Sequence, residues 1–196
     1  PRLAHALRET WRNKMGNRLT LAGYQQTGGV DRAVALTADN VYARLHEYDR
    51  HALRAALLRM ITLLDGGGIA RRWAHRAEVP NRVMESLVAA RLVTIDRDYV
   101  QLSHDALLTA WPRLRGWVAE DRQGLLVRQQ LGVAVTGWQT SGRDRADLYR
   151  GARLAAAQDW AGERTDLTPD ERAFLRASDR ERRRRTRRLQ GLVAVL

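Results

Sequence analysis

The stretch at residues 92–117, LVTIDRDYVQLSHDALLTAWPRLRGW, decides the fold because its pattern changes part-way along. Apolar side chains alternate with polar ones over residues 93–95 and again over 100–102, which is the period of a half-buried strand. The Asp-Arg-Asp run at residues 96–98 between them has the composition of a turn. We therefore expect a β-hairpin, followed by a helix that the Ser103 hydroxyl caps.

The joint between hairpin and helix carries Ser103-His104-Asp105. A helix N-terminus presents backbone N–H groups and favours an anion, so a titratable His at this place is a candidate anion contact. The three letters are those of a catalytic triad, but adjacent side chains point in different directions and cannot form that relay. The sequence also has no G-x-x-x-x-G-K-[ST] and no H-E-x-x-H motif, and its five scattered His residues argue against a metal site. We expect no catalytic machinery and no metal in this chain.

Composition limits the class of protein. With 196 residues, 44% hydrophobic, the chain is long enough for one large or two small domains with a true core. Cys is absent, which excludes disulfides and thiolate metal sites. The formal charge is +12, and Lys14 is the only Lys. So strong an Arg bias is typical of a GC-rich genome, and much of the charge lies in the basic run at residues 180–188.

The first half of the chain is predicted to be helical. Residues 1–13 and 20–26 have helical spacing, and two longer helices follow, the second over residues 49–64, before a Gly66-Gly67-Gly68 break. The apolar stripes are Val34, Ala38, Val41 and Leu45 in the first long helix and Leu53, Leu57, Met60, Ile61 and Leu64 in the second.

From residue 69 the order changes to a short strand (69–73), one helical turn (76–79), a helix (81–90) and the hairpin. In the helix, Val83, Met84, Leu87 and Val88 are predicted to face inward. This order is that of a winged helix, a helix-turn-helix with an attached β-hairpin.

After the hairpin the pattern is helical again. Apolar stripes occur at Trp111, Leu114, Trp117 and Val118, and at Leu131, Val135 and Trp138, with a further helix over residues 148–160. Thr168-Pro169-Asp170-Glu171 is a strong helix start, with a cap, a Pro in the first turn and a Glu placed for a capping box. Most of the six Trp residues lie on apolar faces, which favours core packing over a stacking platform.

The predicted fold class is mainly α: a helical domain, a winged helix with a small β-hairpin, then a helical bundle. The predicted domains are residues 1–48, the end of the helical domain; 49–110, the winged helix; 111–178, the helical region; and 179–196, a basic segment with the start of an apolar helix. We expect a cytoplasmic location. The apolar residues 190–196 directly follow the basic run, which favours a truncated transmembrane helix as an anchor; the alternative is the end of an amphipathic helix.

A winged helix often binds DNA through its second helix and its wing. The helix over residues 81–90 would turn Asn81, Arg82, Glu85, Ser86 and Ala89 outward. A Glu in that face and an acidic hairpin tip oppose phosphate, so the sequence argues against DNA as a partner of this element.

The sequence resembles a known family. The runs PRLAHALRETW (1–11), LTLAGYQQTGGV (19–30), LVAARLVTIDRDYVQLSHDALLTAWPRLRGWVAEDR (87–122) and LYRGARLAAAQDW (148–160) are similar to the region that follows the nucleotide-binding core in STAND-class NTPases, specifically the novel STAND group common in actinobacteria.

The resemblance implies the layout of apoptosome and plant immune-receptor ATPases: a P-loop core, a helical domain, a winged helix and a sensor region. In such relatives a His-Asp pair at the end of the winged helix holds the β-phosphate of ADP and locks a closed state. The pair corresponds to His104 and Asp105, with Ser103 where many relatives have Met, and the Pro of the family's Gly-x-Pro motif to Pro1. His104 is then the phosphate contact, and Asp105 orients His104 or the helix start.

The resemblance also implies the partners and the cofactor. ADP or ATP would be bound mostly by an upstream P-loop domain, so none is expected to bind the present chain alone. Self-association and a downstream sensor domain are implied, and relatives often continue with a transmembrane helix and a WD-repeat propeller. The leading hypothesis is a regulatory switch module, not itself an enzyme, of an ATPase. The alternatives are a winged-helix transcriptional regulator that binds DNA and a helical protein-interaction scaffold.

Overall fold

A computed structural model describes residues 29–162 and 164–193 of the chain. The chain forms two compact units, residues 1–121 and residues 122–196. The helix predicted over residues 1–13, the turn over 20–26, Pro1 and Trp11 lie outside the described residues. The four predicted domains remain predictions.

The first unit contains short helices and two small sheets. Its elements are α1 (Gly29–Arg44), α2 (Glu47–Arg59), β1 (Ile61–Leu63), β2 (Ile69–Arg71), β3 (Ala74–His75), a 3-10 turn (Arg76–Glu78), α3 (Asn81–Ala89), β4 (Val93–Asp96), β5 (Tyr99–Leu102), α4 (Ala106–Ala110) and α5 (Pro112–Glu120). The helical turn predicted before Pro80 is confirmed as this 3-10 turn.

The helix predicted over residues 49–64 is wrong at its C-terminal end. Helix α2 ends at Arg59, and β1 then pairs antiparallel with β2, Thr62 opposite Ala70. Gly66 and Gly67 turn the chain between them at φ values of +90°, a conformation that side chains resist. The β-branched Ile61-Thr62 pair suits a strand, so pairing with the next strand along the chain prevails over the helical spacing. Leu64, predicted to be on the apolar side, is 51% exposed.

The predicted hairpin is confirmed. Strands β4 and β5 pair antiparallel with Ile95 opposite Val100, and β3 adds to the other side of β5. The sheet order is β3-β5-β4. The strand predicted over residues 69–73 is found as β2, which ends two residues earlier, at Arg71, and the separate strand β3 begins at Ala74.

Helix α3 buries most of its predicted inward face. Val83, Met84 and Leu87 are buried, but Val88 is 42% exposed. In a short helix only one stripe of residues meets the core, and Val88 lies beside that stripe. The prediction of its burial is therefore wrong.

The second unit is a helical arrangement around one apolar cluster. It comprises α6 (Arg122–Thr140), a 3-10 turn (Arg145–Asp147), α7 (Gly151–Gly162) and α8 (Pro169–Val193). The cluster consists of Leu131, Val135, Trp138, Leu148, Tyr149, Leu154, Ala157, Leu167, Phe174 and Leu175. Phe174 lies at its centre, with the Trp138 ring at 5.6 Å and the Tyr149 ring at 5.0 Å, both edge-on.

The start of α7 differs from the predicted start at residue 148. Leu148 and Tyr149 precede the helix and are buried in the cluster, and the helix begins at Gly151 with φ at +52°. Packing of these two side chains into the core takes precedence over continuing the helix backward.

The predicted capping box at the start of α8 is confirmed. The Thr168 hydroxyl accepts from the Glu171 N–H at 3.1 Å, and the Glu171 carboxylate accepts from the Thr168 N–H at 2.7 Å. Pro169 occupies the first helical position, where a missing N–H costs nothing.

The mainly α fold class is confirmed. Trp111, Trp117 and Trp138 are buried as predicted, but Trp73 is 43% exposed, so the core role is wrong for that residue. Among the described residues, no helix combines the length and the apolar composition that crossing a bilayer requires.

Candidate functional site

His104 lies in the two-residue joint between the end of β5 and the N-cap of α4. Its side chain is only 3% exposed. The preceding Ser103 N–H donates to the Leu92 carbonyl at 2.9 Å, and the His104 carbonyl accepts from the Leu107 N–H at 3.2 Å. Backbone bonds thus fix the chain on both sides of this His.

Ser103 does not cap the helix. Its hydroxyl lies 2.9 Å from the Thr94 hydroxyl, because Ser103 continues the hairpin ladder opposite Leu92. The N-cap position belongs to Asp105, whose side chain makes no capping bond. The predicted cap is therefore wrong, and α4, five residues long, is too short for a strong helix dipole.

Asp105 points to the surface, where Arg71 holds it. Its side chain is 58% exposed. The Arg71 guanidinium donates to both carboxylate oxygens, with Nη2 at 3.2 Å from Oδ2, and its Nη1 donates to the Leu102 carbonyl at 2.7 Å. A bidentate arginine–carboxylate pair is geometrically specific. Arg71 thus joins β2 to the end of β5 and to the start of α4.

The joint therefore separates the two adjacent residues of the predicted pair. His104 is inside the unit, and Asp105 is outside and paired with a residue 34 positions away in sequence. Sequence reasoning missed Arg71, because the short strand that carries it gives no indication of which loop it will reach.

Contacts with α1 fix the chain beyond α4. The Trp111 indole Nε1 donates to Asp39 Oδ1 at 2.9 Å, and Arg113 Nε lies 3.4 Å from the same oxygen. The Arg113 guanidinium also stacks 4.0 Å from the centre of the Tyr42 ring, a cation–π contact. Trp117 closes this cluster, with its ring 5.7 Å from Tyr42 and 5.5 Å from Trp111. Helix α1 thereby holds the segment after the joint.

Two further points concern the predicted nucleotide contact at Pro1 and metal binding. Pro1 lies outside the described residues. Within the parts of the chain that the structure describes, no group of three or more His, Asp or Glu side chains is placed to hold a metal ion.

The cation on the outward face of α3, Arg82, is already engaged by residues of the same unit. Arg82 pairs with Asp49 at 2.8 Å and lies 4.5 Å from the centre of the Tyr48 ring. Glu85 on the same face is exposed. A face whose Arg is already paired has little positive charge left for phosphate.

Comparison with known proteins gives one positive result. The family model described as Novel STAND NTPase 1 matches residues 1–146. Neither curated proteins nor solved structures yield a match. Since the match covers most of the chain, including β1–β5 and the His104 joint, this chain belongs to the Novel STAND NTPase 1 family.

Proposed function

We propose that this chain is a regulatory switch module of a STAND-class NTPase. It couples the ATP or ADP state of an upstream P-loop domain to assembly and signalling, through self-association and a downstream sensor domain. Membership of the family supports the NTPase association. The observation that carries the switch proposal is the burial of His104 in a joint that is fixed from both sides.

The order of elements supports a winged-helix interpretation of residues 49–110. Strand β3 lies between helices α2 and α3 in the chain, the β4–β5 hairpin follows α3, and the three strands form a sheet of order β3-β5-β4 in which the hairpin is the wing. In this proposal α1 is the end of the adjoining helical domain, and its contacts with Trp111 and Arg113 join it to the segment that directly follows the winged helix.

Burial gives His104 the property that a switch needs. A phosphate meets the ring only when the groups that cover it move, and α4 packs against α1 and β2 in the present arrangement. A charged imidazole donating to phosphate makes a strong hydrogen bond. Contact in one arrangement and none in another is a differential interaction, which is what shifts a two-state equilibrium.

Asp105 acts in this proposal by anchoring the backbone. Because its carboxylate is held by Arg71, it orients His104 through the chain rather than by capping α4. Pro1 is proposed to contact the nucleotide from the helical domain, with ADP or ATP bound mainly by the upstream domain.

The test uses the full-length protein with its P-loop domain and replaces His104 by Ala. Loss of one charge-assisted hydrogen bond, about 1.5–3 kcal/mol, predicts ADP release faster by roughly ten-fold or more. The measurement is the retention of labelled ADP after rapid gel filtration, with the oligomeric state read from the same column.

The matched control is His51→Ala, which removes an exposed His from α2 and is expected to leave ADP retention unchanged. Hydrogen exchange of the 93–120 peptides shows whether the His104 variant remains folded. A folded His104→Ala protein with normal ADP release and normal oligomeric state would contradict the proposal.

A further inference from the structure

Helix α8 has two dissimilar parts. Its first part packs on the other helices of the second unit, with Phe174 and Ser178 fully buried. Beyond that point the side chains of residues 182–187 are all exposed. The helix thus displays the basic run as an ordered surface.

The acidic residues of this region neutralise only some of the arginines. Asp179 pairs with Arg182 at 2.6 Å and Arg183 at 2.7 Å. Glu181 pairs with Arg185 at 3.2 Å. These are ordinary pairs between neighbouring turns of one helix.

Four of the other exposed arginines of α8 share one face. Arg176, Arg180, Arg184 and Arg187 are spaced by four, four and three residues, which places them within an arc of roughly 80° over about 16 Å of helix. We call this set the arginine stripe. It faces away from Phe174 and Ser178, and no described carboxylate forms an ion pair within hydrogen-bonding distance of its members, although the Arg184 charge contributes to lowering the pKa of Glu181.

We propose that the arginine stripe binds the phosphodiester backbone of a nucleic acid without reading its sequence. Guanidinium groups match phosphate oxygens with paired donors. Duplex DNA carries about one charge per 1.7 Å, so a stripe about 16 Å long meets several phosphates. The helix fixes the spacing of the four backbone positions before binding, so that only the side chains have to be ordered.

The basic part of the helix by itself disfavours a bilayer surface as the partner, while the apolar residues 190–196 that follow make a bilayer the alternative that the experiment tests. A helix that lies in a membrane interface needs an apolar face, and residues 179–187, DRERRRRTR, contain no apolar side chain. The total Arg content of the chain carries no such argument. The argument for a nucleic-acid partner is that the arginines paired with carboxylates lie outside the arc of the helix that the arginine stripe occupies.

The experiment compares two triple variants of the 196-residue chain with equal changes of charge. R180Q/R184Q/R187Q removes most of the stripe, and R182Q/R183Q/R185Q removes the arginines that are paired with carboxylates. Fluorescence anisotropy with a labelled 20-bp DNA duplex of arbitrary sequence gives the affinity at several salt concentrations. Each lost phosphate contact lowers the slope of log K against log salt by about 0.9. The stripe variant is therefore expected to lose roughly 2–3 units of slope, and the control less than about 1.

Three results would overturn the proposal: no binding by the unmodified chain at low salt, equal losses in both variants, or stronger binding to phosphatidylserine vesicles than to DNA. Helix content by circular dichroism checks folding. R180K/R184K/R187K, which keeps the charge, is expected to retain the slope. Because the DNA-binding test does not involve ADP or ATP, its failure would not contradict the proposed nucleotide switch.

Discussion

Both compact units bury an apolar core, the larger one in the first unit, but in the first unit the segment around His104 is in addition held by long-range polar contacts. In the first unit, directional polar contacts join elements that are far apart in sequence, such as Arg71 with Asp105 and Trp111 with Asp39. In the second unit, the helices surround one apolar cluster centred on Phe174. Apolar burial is non-directional, whereas a bidentate ion pair or an indole hydrogen bond is made in one geometry and lost in another. The polar contacts around the His104 joint therefore depend on one relative placement of β2, α1 and α4, whereas an apolar cluster is less sensitive to orientation.

The largest effect is expected from Phe174→Ala, which tests the single-cluster description of the second unit. Phe174 is fully buried between two aromatic rings, and removing such a side chain costs about 3–5 kcal/mol. Hydrogen exchange read by mass spectrometry follows peptides of each unit separately. Protection is expected to fall throughout α6, α7 and α8 and to persist in residues 47–120.

Val133→Ala is the matched control, because Val133 is an exposed residue of α6 and its truncation should change stability by less than about 0.5 kcal/mol. Equal loss of protection in both units after Phe174→Ala would show that the two units unfold together, and the comparison would fail.

A smaller effect is expected from breaking one buried ion pair in each unit. Arg59, 2% exposed, pairs with Glu78 at 2.8 Å in the first unit, and Arg128, 6% exposed, pairs with Asp166 in the second. Replacing either Arg by Met leaves a partly buried carboxylate without that partner, at a cost of about 1–3 kcal/mol. Urea unfolding of each variant measures the loss.

Neutralising the carboxylate as well, with Glu78→Gln or Asp166→Asn, should recover part of each loss in a double-mutant cycle. If the single Arg→Met variants are as stable as the parent chain, directional polar contacts contribute little, and the contrast between the units rests on burial alone.

The smallest effect concerns pH and Asp179. A hydrogen bond from Arg182, assisted by Arg183 and Gln158, lowers the pKa of the Asp179 carboxyl below its usual value. A lowered pKa in the folded state stabilises the protein above the unfolded pKa, about 3.9, and the contribution disappears as the pH falls through the folded value. Asp179→Asn is therefore expected to flatten the acid side of the stability profile, measured by urea unfolding from neutral pH downward.

Asp159→Asn, which changes an exposed carboxylate of α7, is the comparison for that profile. An equal flattening in both variants would mean that the acid sensitivity belongs to general charge repulsion, and the Asp179 pairs would have no separate effect.

Local patterns predicted the elements that depend on local physics. The hairpin at residues 93–102 has alternation and a turn in consecutive residues, and the capping box has all its members between Thr168 and Glu171. Such features need no knowledge of the rest of the chain, because the groups that form them are neighbours in sequence.

The failures lie where a cross-strand partner competes with the helical pattern for the same residues. Ile61–Leu63 continues the apolar spacing of α2, yet it pairs with β2. Ser103 has the composition of a cap, yet its hydroxyl bonds Thr94. In each case a partner elsewhere in the fold offered a better set of hydrogen bonds than the local pattern did.

The sequence by itself determined the mainly helical class, the hairpin, the start of α8 and the position of His104 at a strand-to-helix joint. Only the tertiary structure decided that His104 is buried, that Asp105 is held by Arg71, and that four arginines of α8 share an exposed face opposite the core. The physical reason is distance along the chain. Secondary structure and caps depend on residues a few positions apart, whereas the burial and pairing of a side chain depend on which distant surface packs against it.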